Sequence, residues 1–344
     1  MTIDKQEFGH TKDGAAVDLY TLKDGGLTVE IITYGAAIRS ILVPLGDTVR
    51  DVALGFDDIA GYESHSTYQG AVIGRIGNRV SNATYKMNGK TYQLDANAGT
   101  NCLHGGFVGF DKQVWTANVT SNALELSLTD KEGTAAGFPG NMQVTVRYTL
   151  EGGALGIEYT AECDKDTPIN LTNHCYFNLK GHASGSIEDH KLQLFSHKIT
   201  AIDETLIPTG ELMDVTGTPF DLRELTCIRQ GLEQSCQMMD NAGGYDHNWV
   251  LSSEAHRQLA IAAVLECDGL SMQCMTTKPG VQFYCGNFLK GELGKGGAKY
   301  GFRTGLCLET QYWPDSVNNP NFPAPILRTG DVYNHKTVYK FREV

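Results

Sequence analysis

Two runs of strict alternation decide what this chain can become. Val144, Val146, Tyr148 and Leu150 alternate with Thr145, Arg147 and Thr149; Leu155, Ile157, Tyr159 and Ala161 follow, with Glu158, Thr160 and Glu162 between and after them. A period of two sends every second side chain to one face, so each run reads as a strand with one apolar face. Between them, Glu151-Gly152-Gly153-Ala154 supplies the glycine pair of a tight hairpin turn. Shorter runs of the same character predict strands at 17–22, 27–31, 38–43, 114–119, 124–128, 191–195, 259–266, 270–276, 281–285 and 336–341. Gly, Asn and Asp clusters punctuate them, and 39 glycines suit a fold of many turns and bulges. Only 221–239 has a helical pattern, and it is broken enough to predict no more than a short helix. A chain of 344 residues could be two ordinary domains or one large sandwich. With no low-complexity linker and no internal repeat, the expectation is all-β: one large antiparallel β-sandwich over residues 1–344, with few short helices.

Charge and cysteine usage narrow the functional classes. A net charge of −12 argues against a binder of nucleic-acid backbones, which needs clustered Lys and Arg. The nine cysteines are scattered, with no Cys-x-x-Cys spacing, so a zinc ribbon or redox pair is not expected. Several lie in apolar runs, where a free thiol behaves as a small hydrophobe, and a reducing, cytoplasmic compartment is the simplest setting. The polar stretch 1–14 lacks a signal-peptide apolar region, and no apolar run is long enough to span a membrane.

Chemistry concentrates in six stretches. In 305–316, the apolar run Leu306, Cys307 and Leu308 delivers a single acid, Glu309, before Trp313-Pro314-Asp315 breaks it. An acid buried at a strand end is costly unless it is paired or useful; a structural carboxylate is the plain alternative. In 74–80, Arg75 and Arg79 sit four apart on a Gly-punctuated segment and could hold hydroxyls or a carboxylate, although Arg75 reads better as a structural partner of an acid. His104 precedes Gly105 and Gly106, which lets backbone approach a ligand, or it is an ordinary loop histidine. Alternation in 173–179 puts His174, Tyr176 and Asn178 on one strand face, as a site lining or a buried hydrogen-bond anchor. After Gly243-Gly244, Tyr245, Asp246 and Asn248 offer an aromatic, an acid and an amide, or a simple turn. Past Pro279-Gly280, Gln282, Tyr284 and Gly286 share a strand face.

In their order along the chain, these motifs resemble those of the galactose mutarotase (aldose 1-epimerase) family. They are Gly-Arg-x-x-Asn-Arg at 74–79, Leu-His-Gly-Gly at 103–106, Asn-His-x-Tyr-Phe-Asn-Leu at 173–179, Tyr-Asp-His-Asn at 245–248, Pro-Gly-x-Gln-x-Tyr-x-Gly-Asn at 279–287 and Leu-Glu-Thr-Gln at 308–311. The resemblance implies a β-supersandwich with a shallow cleft, and interconversion of the α and β anomers of free aldohexoses such as galactose and glucose. It implies Glu309 as the base at the C1 hydroxyl, His174 as the acid at the ring oxygen, and His104 as a second histidine near that oxygen. Asn78, Arg79, Asp246 and Gln282 match contacts to sugar hydroxyls, and Tyr176 is a further lining residue. Such a reaction needs no metal or other cofactor. The expected partner is a free monosaccharide, with neither nucleic acid nor membrane involved, and a monomer or a dimer would serve. With reference pKa values of about 4.3 for Glu and about 6.5 for His, mutual attraction is expected to favour a carboxylate–imidazolium pair. Other functions stay open on the residues. A glycoside hydrolase could pair Glu309 with Asp246, a sugar-binding module would not need the base, and a hexose-phosphate epimerase would call on Arg75 or a distant Lys. His104, His174 and His247 could hold a metal by residue type, but no His-Glu-x-x-His spacing supports it.

Overall fold

The structure, a computed structural model, describes residues 1–252 and 258–344. The alternating runs form the hairpin that their pattern predicts, as strands Met142–Glu151 and Ala154–Cys163 in unbroken register from Met142↔Cys163 to Glu151↔Ala154. Gly152 and Gly153 both take positive φ (57° and 76°), which a two-residue hairpin turn of this hand demands and which side chains resist. This hairpin lies within a nine-stranded sheet, and Tyr333–Glu343 pairs against Ala154–Cys163 on one side and Leu270–Thr276 on the other. The chain is thus all-β, with large antiparallel sheets.

A six-stranded sheet packs against the nine-stranded one. Its strands run in the order Tyr176–Phe177, Leu306–Gln311, Gly280–Tyr284, Asp246–Val250, Lys198–Ile202 and Pro208–Asp214. Its inward side chains (Phe177, Leu306, Leu308, Val281, Phe283 and Trp249) join the same core cluster as Tyr148, Ile157 and Tyr339 of the larger sheet. The Tyr339 hydroxyl donates to the Leu308 carbonyl at 2.9 Å, and the Phe177 and Tyr339 rings lie 4.9 Å apart. Dispersion and water exclusion across this seam hold the layers together; truncating Leu308 to Ala would cost about 2–5 kcal/mol. An N-terminal five-stranded meander, Thr2 to Asp51, contributes Leu22, Val29, Ile31 and Ile41 to that core.

The differences from expectation are local. Segment 221–239 yields not one helix but short helices at Ile228–Leu232 and Gln237–Ala242, because Cys236 is extended (φ −157°) between them and Gly243 (φ 67°) ends the second. Helix Ile59–Ser64, without an apolar period to announce it, is started by Asp58, whose carboxylate accepts from the Gly61 N–H at 3.0 Å. Thr2–His10 is a strand with no fully buried residue, so its sequence shows no alternation.

Candidate active site

The outward face of the six-stranded sheet carries the polar residues. Pairing aligns Asp246, Tyr284, Cys307 and Tyr176 in one row across four strands, and Asn248, Gln282 and Glu309 in the next. A third row is Val250, Gly280 and Gln311. Strand Leu306–Gln311 is buried on both faces, which explains its apolar look: Leu306 and Leu308 enter the core while Cys307, Glu309 and Gln311 face the other way. The same pleat turns His247 away from Asp246, onto the Phe220 ring at 4.5 Å, so the imagined His104–His174–His247 metal set is not assembled.

Above this face lies a cavity of about 650 Å³, within the range of small-ligand sites. Glu309, His174, His104, Asn78, Arg79, Asp246 and Tyr176 all line it. Glu309 is 2% exposed; its Oε1 is 3.7 Å from His174 Nε2 and its Oε2 has no protein partner. Burial, and then the nearby Asp246 charge, push the Glu309 carboxyl well above its usual 4.5. Burial pulls His174 down to about 4. Burial therefore works against the expected carboxylate–imidazolium pair: desolvation opposes the mutual attraction at this separation, raising the Glu309 carboxyl and lowering His174.

His104 is clamped reciprocally. Its backbone N–H donates to the Asn78 carbonyl and its ring Nδ1 accepts from the Asn78 backbone N–H, each at 3.1 Å. Burial, reinforced by His174 and then Arg79, holds its pKa well below 6.5, so the ring is neutral. With Nδ1 accepting, its proton sits on Nε2, free to donate to a ligand. The glycines after it are forced by space, since a Cβ on Gly105 would stand 2.1 Å from the Gly74 carbonyl oxygen. His174 Nδ1 lies 3.4 Å from the Cys307 thiol, and its ring packs 5.2 Å from His104 and 5.0 Å from Tyr176.

Asp246 receives Gln282 Nε2 at 2.7 Å on Oδ1, while Arg79 Nη2 is 3.5 Å from Oδ2. Gln282, 2% exposed, stands behind Asp246 and is not in the cavity lining, so its reach to a sugar runs through that carboxylate. Asn178 does not share the site face: its amide donates to the Gly185 and Thr304 carbonyls, because the strand ends at Phe177. Arg75 points away, into an ion pair with Asp130. Tyr284 and Tyr68 are among the lining residues that went unassigned from sequence. Tyr284 follows from the alternation that identified Gln282, whereas Tyr68, edge-on to His104 at 4.6 Å, sits in no motif. The donor atoms of His104, His174 and Glu309 fall within 4.8 Å of one another, a spacing a cation could bridge as well as a proton.

Comparison with known proteins places the chain in one family. The sequence model of the aldose 1-epimerase family matches residues 18–340. The galactose mutarotase of Bos taurus is 42% identical over 344 residues, 99% of each chain. The aldose 1-epimerase of Escherichia coli (strain K12) is 37% identical over 336 residues, 96% of each. The crystal structure of an aldose epimerase homologue from C. elegans superposes with a TM-score of 0.87 at 28% identity, covering 96% of this chain and 100% of that one.

Proposed function

The chain belongs to the aldose 1-epimerase family, and we propose that its Glu309–His174 pair, assisted by His104, opens and recloses the ring of a free aldose. The protein is a carbohydrate isomerase that interconverts the α and β anomers of aldoses. Galactose and glucose are the proposed substrates, and residues 1–344 the proposed single catalytic domain. Nine unbonded cysteines support a reducing, cytoplasmic setting, and among the described residues no helix is long and apolar enough to cross a membrane.

The observation that carries the mechanism is the unpartnered Glu309 Oε2, buried at the cavity floor beside a neutral His174. An unsatisfied buried carboxyl costs stability, and a sugar hydroxyl supplies the missing partner. Burial favours the form in which the shared proton is on Glu309. Passing it to His174 gives a carboxylate and an imidazolium at no change in net charge, and hydroxyl donors around Glu309 favour that form. Glu309 then takes the C1 hydroxyl proton while His174 protonates the ring oxygen, with His104 Nε2–H donating nearby. The C1–O bond opens to an aldehyde, rotation about C1–C2 exposes the other face, and closure runs the transfers in reverse. Arg79, Asp246 and Asn78 hold the remaining hydroxyls. Asp246 is engaged on both oxygens by Gln282 and Arg79, which suits a hydroxyl contact better than the second acid of a glycosidase.

Polarimetry of freshly dissolved α-D-galactose and α-D-glucose tests the proposal. Acceleration of the approach to equilibrium on either sugar is expected. A rate equal to that of solvent on both would overturn it and bring phosphorylated sugars forward.

A further inference from the structure

Gln311 ends the Leu308-Glu309-Thr310-Gln311 motif, fully buried and outside the cavity lining. Its Nε2 donates to Asn248 Oδ1 and to Gln282 Oε1, both at 3.2 Å. Gln282 Nε2 donates in turn to Asp246 Oδ1 at 2.7 Å, and Arg79 faces the other carboxylate oxygen. The polarity of this chain of bonds is dictated from the Asp246 end. A carboxylate only accepts, so Gln282 must turn its NH2 toward Asp246 and its carbonyl oxygen toward Gln311. Gln311 must then present an NH2, because a carbonyl there would set acceptor against acceptor. Gly280, the cross-strand neighbour of Gln311, leaves room for one of its acceptors: a Cβ there would stand 2.6 Å from Asn248 Oδ1.

We infer that Gln311 is a positioning residue that, through Gln282, fixes the Asp246 carboxylate in the orientation that receives a sugar hydroxyl. The inference rests on Asp246 as a hydroxyl contact in the proposed reaction. With the Gln311 donor in place, the Gln282 amide is held at both ends, Asp246 Oδ1 stays occupied, and Oδ2 meets the incoming hydroxyl beside Arg79. Without it, the Gln282 carbonyl loses its anchor, and the amide, with the carboxylate bonded to it, is free to rotate out of line.

The test compares Gln311→Met and Asp246→Asn with the wild type on galactose and on its monodeoxy analogues, by polarimetry at varied sugar concentration. Gln311→Met is expected to raise KM about tenfold, the worth of one hydrogen bond to a charged group, with a smaller change in kcat. The penalty should vanish on the one deoxy sugar whose KM Asp246→Asn no longer alters, because both substitutions then act on a contact already lost. Should the Met variant not fold, Gln311→Glu, nearly isosteric and an acceptor when ionised, gives the same readout. A KM penalty from Gln311→Met equal on every sugar, or none beside a clear effect of Asp246→Asn, would overturn the role of Gln311 alone. An Asp246→Asn enzyme with wild-type KM on every sugar would overturn the hydroxyl contact on which it rests.

Discussion

Two buried ion-pair candidates, equally hidden from solvent, are built in opposite ways. The Arg75 guanidinium, 1% exposed, meets five acceptors: Asp130 Oδ2, Thr167 Oγ1 and the carbonyls of Asp130, Pro139 and Gly140. That matches the five N–H donors an arginine has to satisfy. Glu309 and His174, similarly buried, stand 3.7 Å apart, and one carboxyl oxygen has no protein partner. The first pair is complete in itself and ties segments far apart in sequence. The second leaves one oxygen open, and burial disfavours the charged form of both its members. Completeness of hydrogen bonding, more than burial or residue type, separates the structural pair from the one proposed to move protons.

The contrast breaks most visibly at the structural pair. Arg75→Met should strand Asp130 in the interior and cost about 3–5 kcal/mol in urea unfolding, with the KM of the remaining folded protein unchanged. A cost under about 1 kcal/mol would mean that Arg75 holds little together. At the other pair, His174→Gln should lower kcat by about 10²–10⁴-fold while the unfolding midpoint holds, since a neutral, incompletely bonded group is being replaced.

The pH dependence sharpens the contrast further. The competent pair carries one proton, so activity should fall on the acid side as His174 takes a second proton near pH 4, and on the alkaline side only when the raised Glu309 finally ionises. Burial moves both limbs outward from the ordinary values; an alkaline limb at or below 6.5 would restore the ordinary carboxylate–imidazolium pair. Stability should respond on its own account. His190 is pulled down to about 4, and His247 and His335 to about 3, all by burial. Their folded pKa values lie below the unfolded 6.5, so the unfolded chain binds more protons as pH drops. Their contribution is therefore full above about 6.5 and is lost toward pH 4, by about 1.4 kcal/mol per pH unit for each group. Thermal midpoints across pH 7 to 4.5 measure it, and His190→Gln should flatten the slope. The smallest effect expected is that of chelation: if His104, His174 and Glu309 move protons only, prior dialysis against EDTA should change the rate less than about twofold, within the scatter of weak contacts.

Much of the site was legible because alternation and function coincide on its strands. Gln282 and Tyr284, and likewise Cys307, Glu309 and Gln311, share their faces through the period of two. Arg75 and Arg79 could be told apart only as a preference, and the acceptors that settle Arg75 come from residues 130–167, which no local pattern connects to it. Asn178 was misplaced because a strand was extended past its end at Phe177. The pKa shifts of Glu309 and His174 run opposite to the expected directions for a physical reason: sequence shows the partners of a charge but not how completely water is excluded. Tyr68 had no motif to mark it, only a place reached by the folding of the 64–68 segment over the cavity.

The most direct measurement takes one preparation of Glu309→Gln through polarimetry and thermal unfolding at pH 8, beside the wild type. Burial raises the folded pKa of Glu309 above its unfolded value, so its penalty is absent below about 4.5 and grows as pH rises. Replacing it with an uncharged isostere should therefore leave the midpoint equal or higher while kcat falls about 10²–10⁴-fold. A variant that keeps its rate, or that loses rate and midpoint together, would show that Glu309 holds the fold like Arg75 and does not carry the proton.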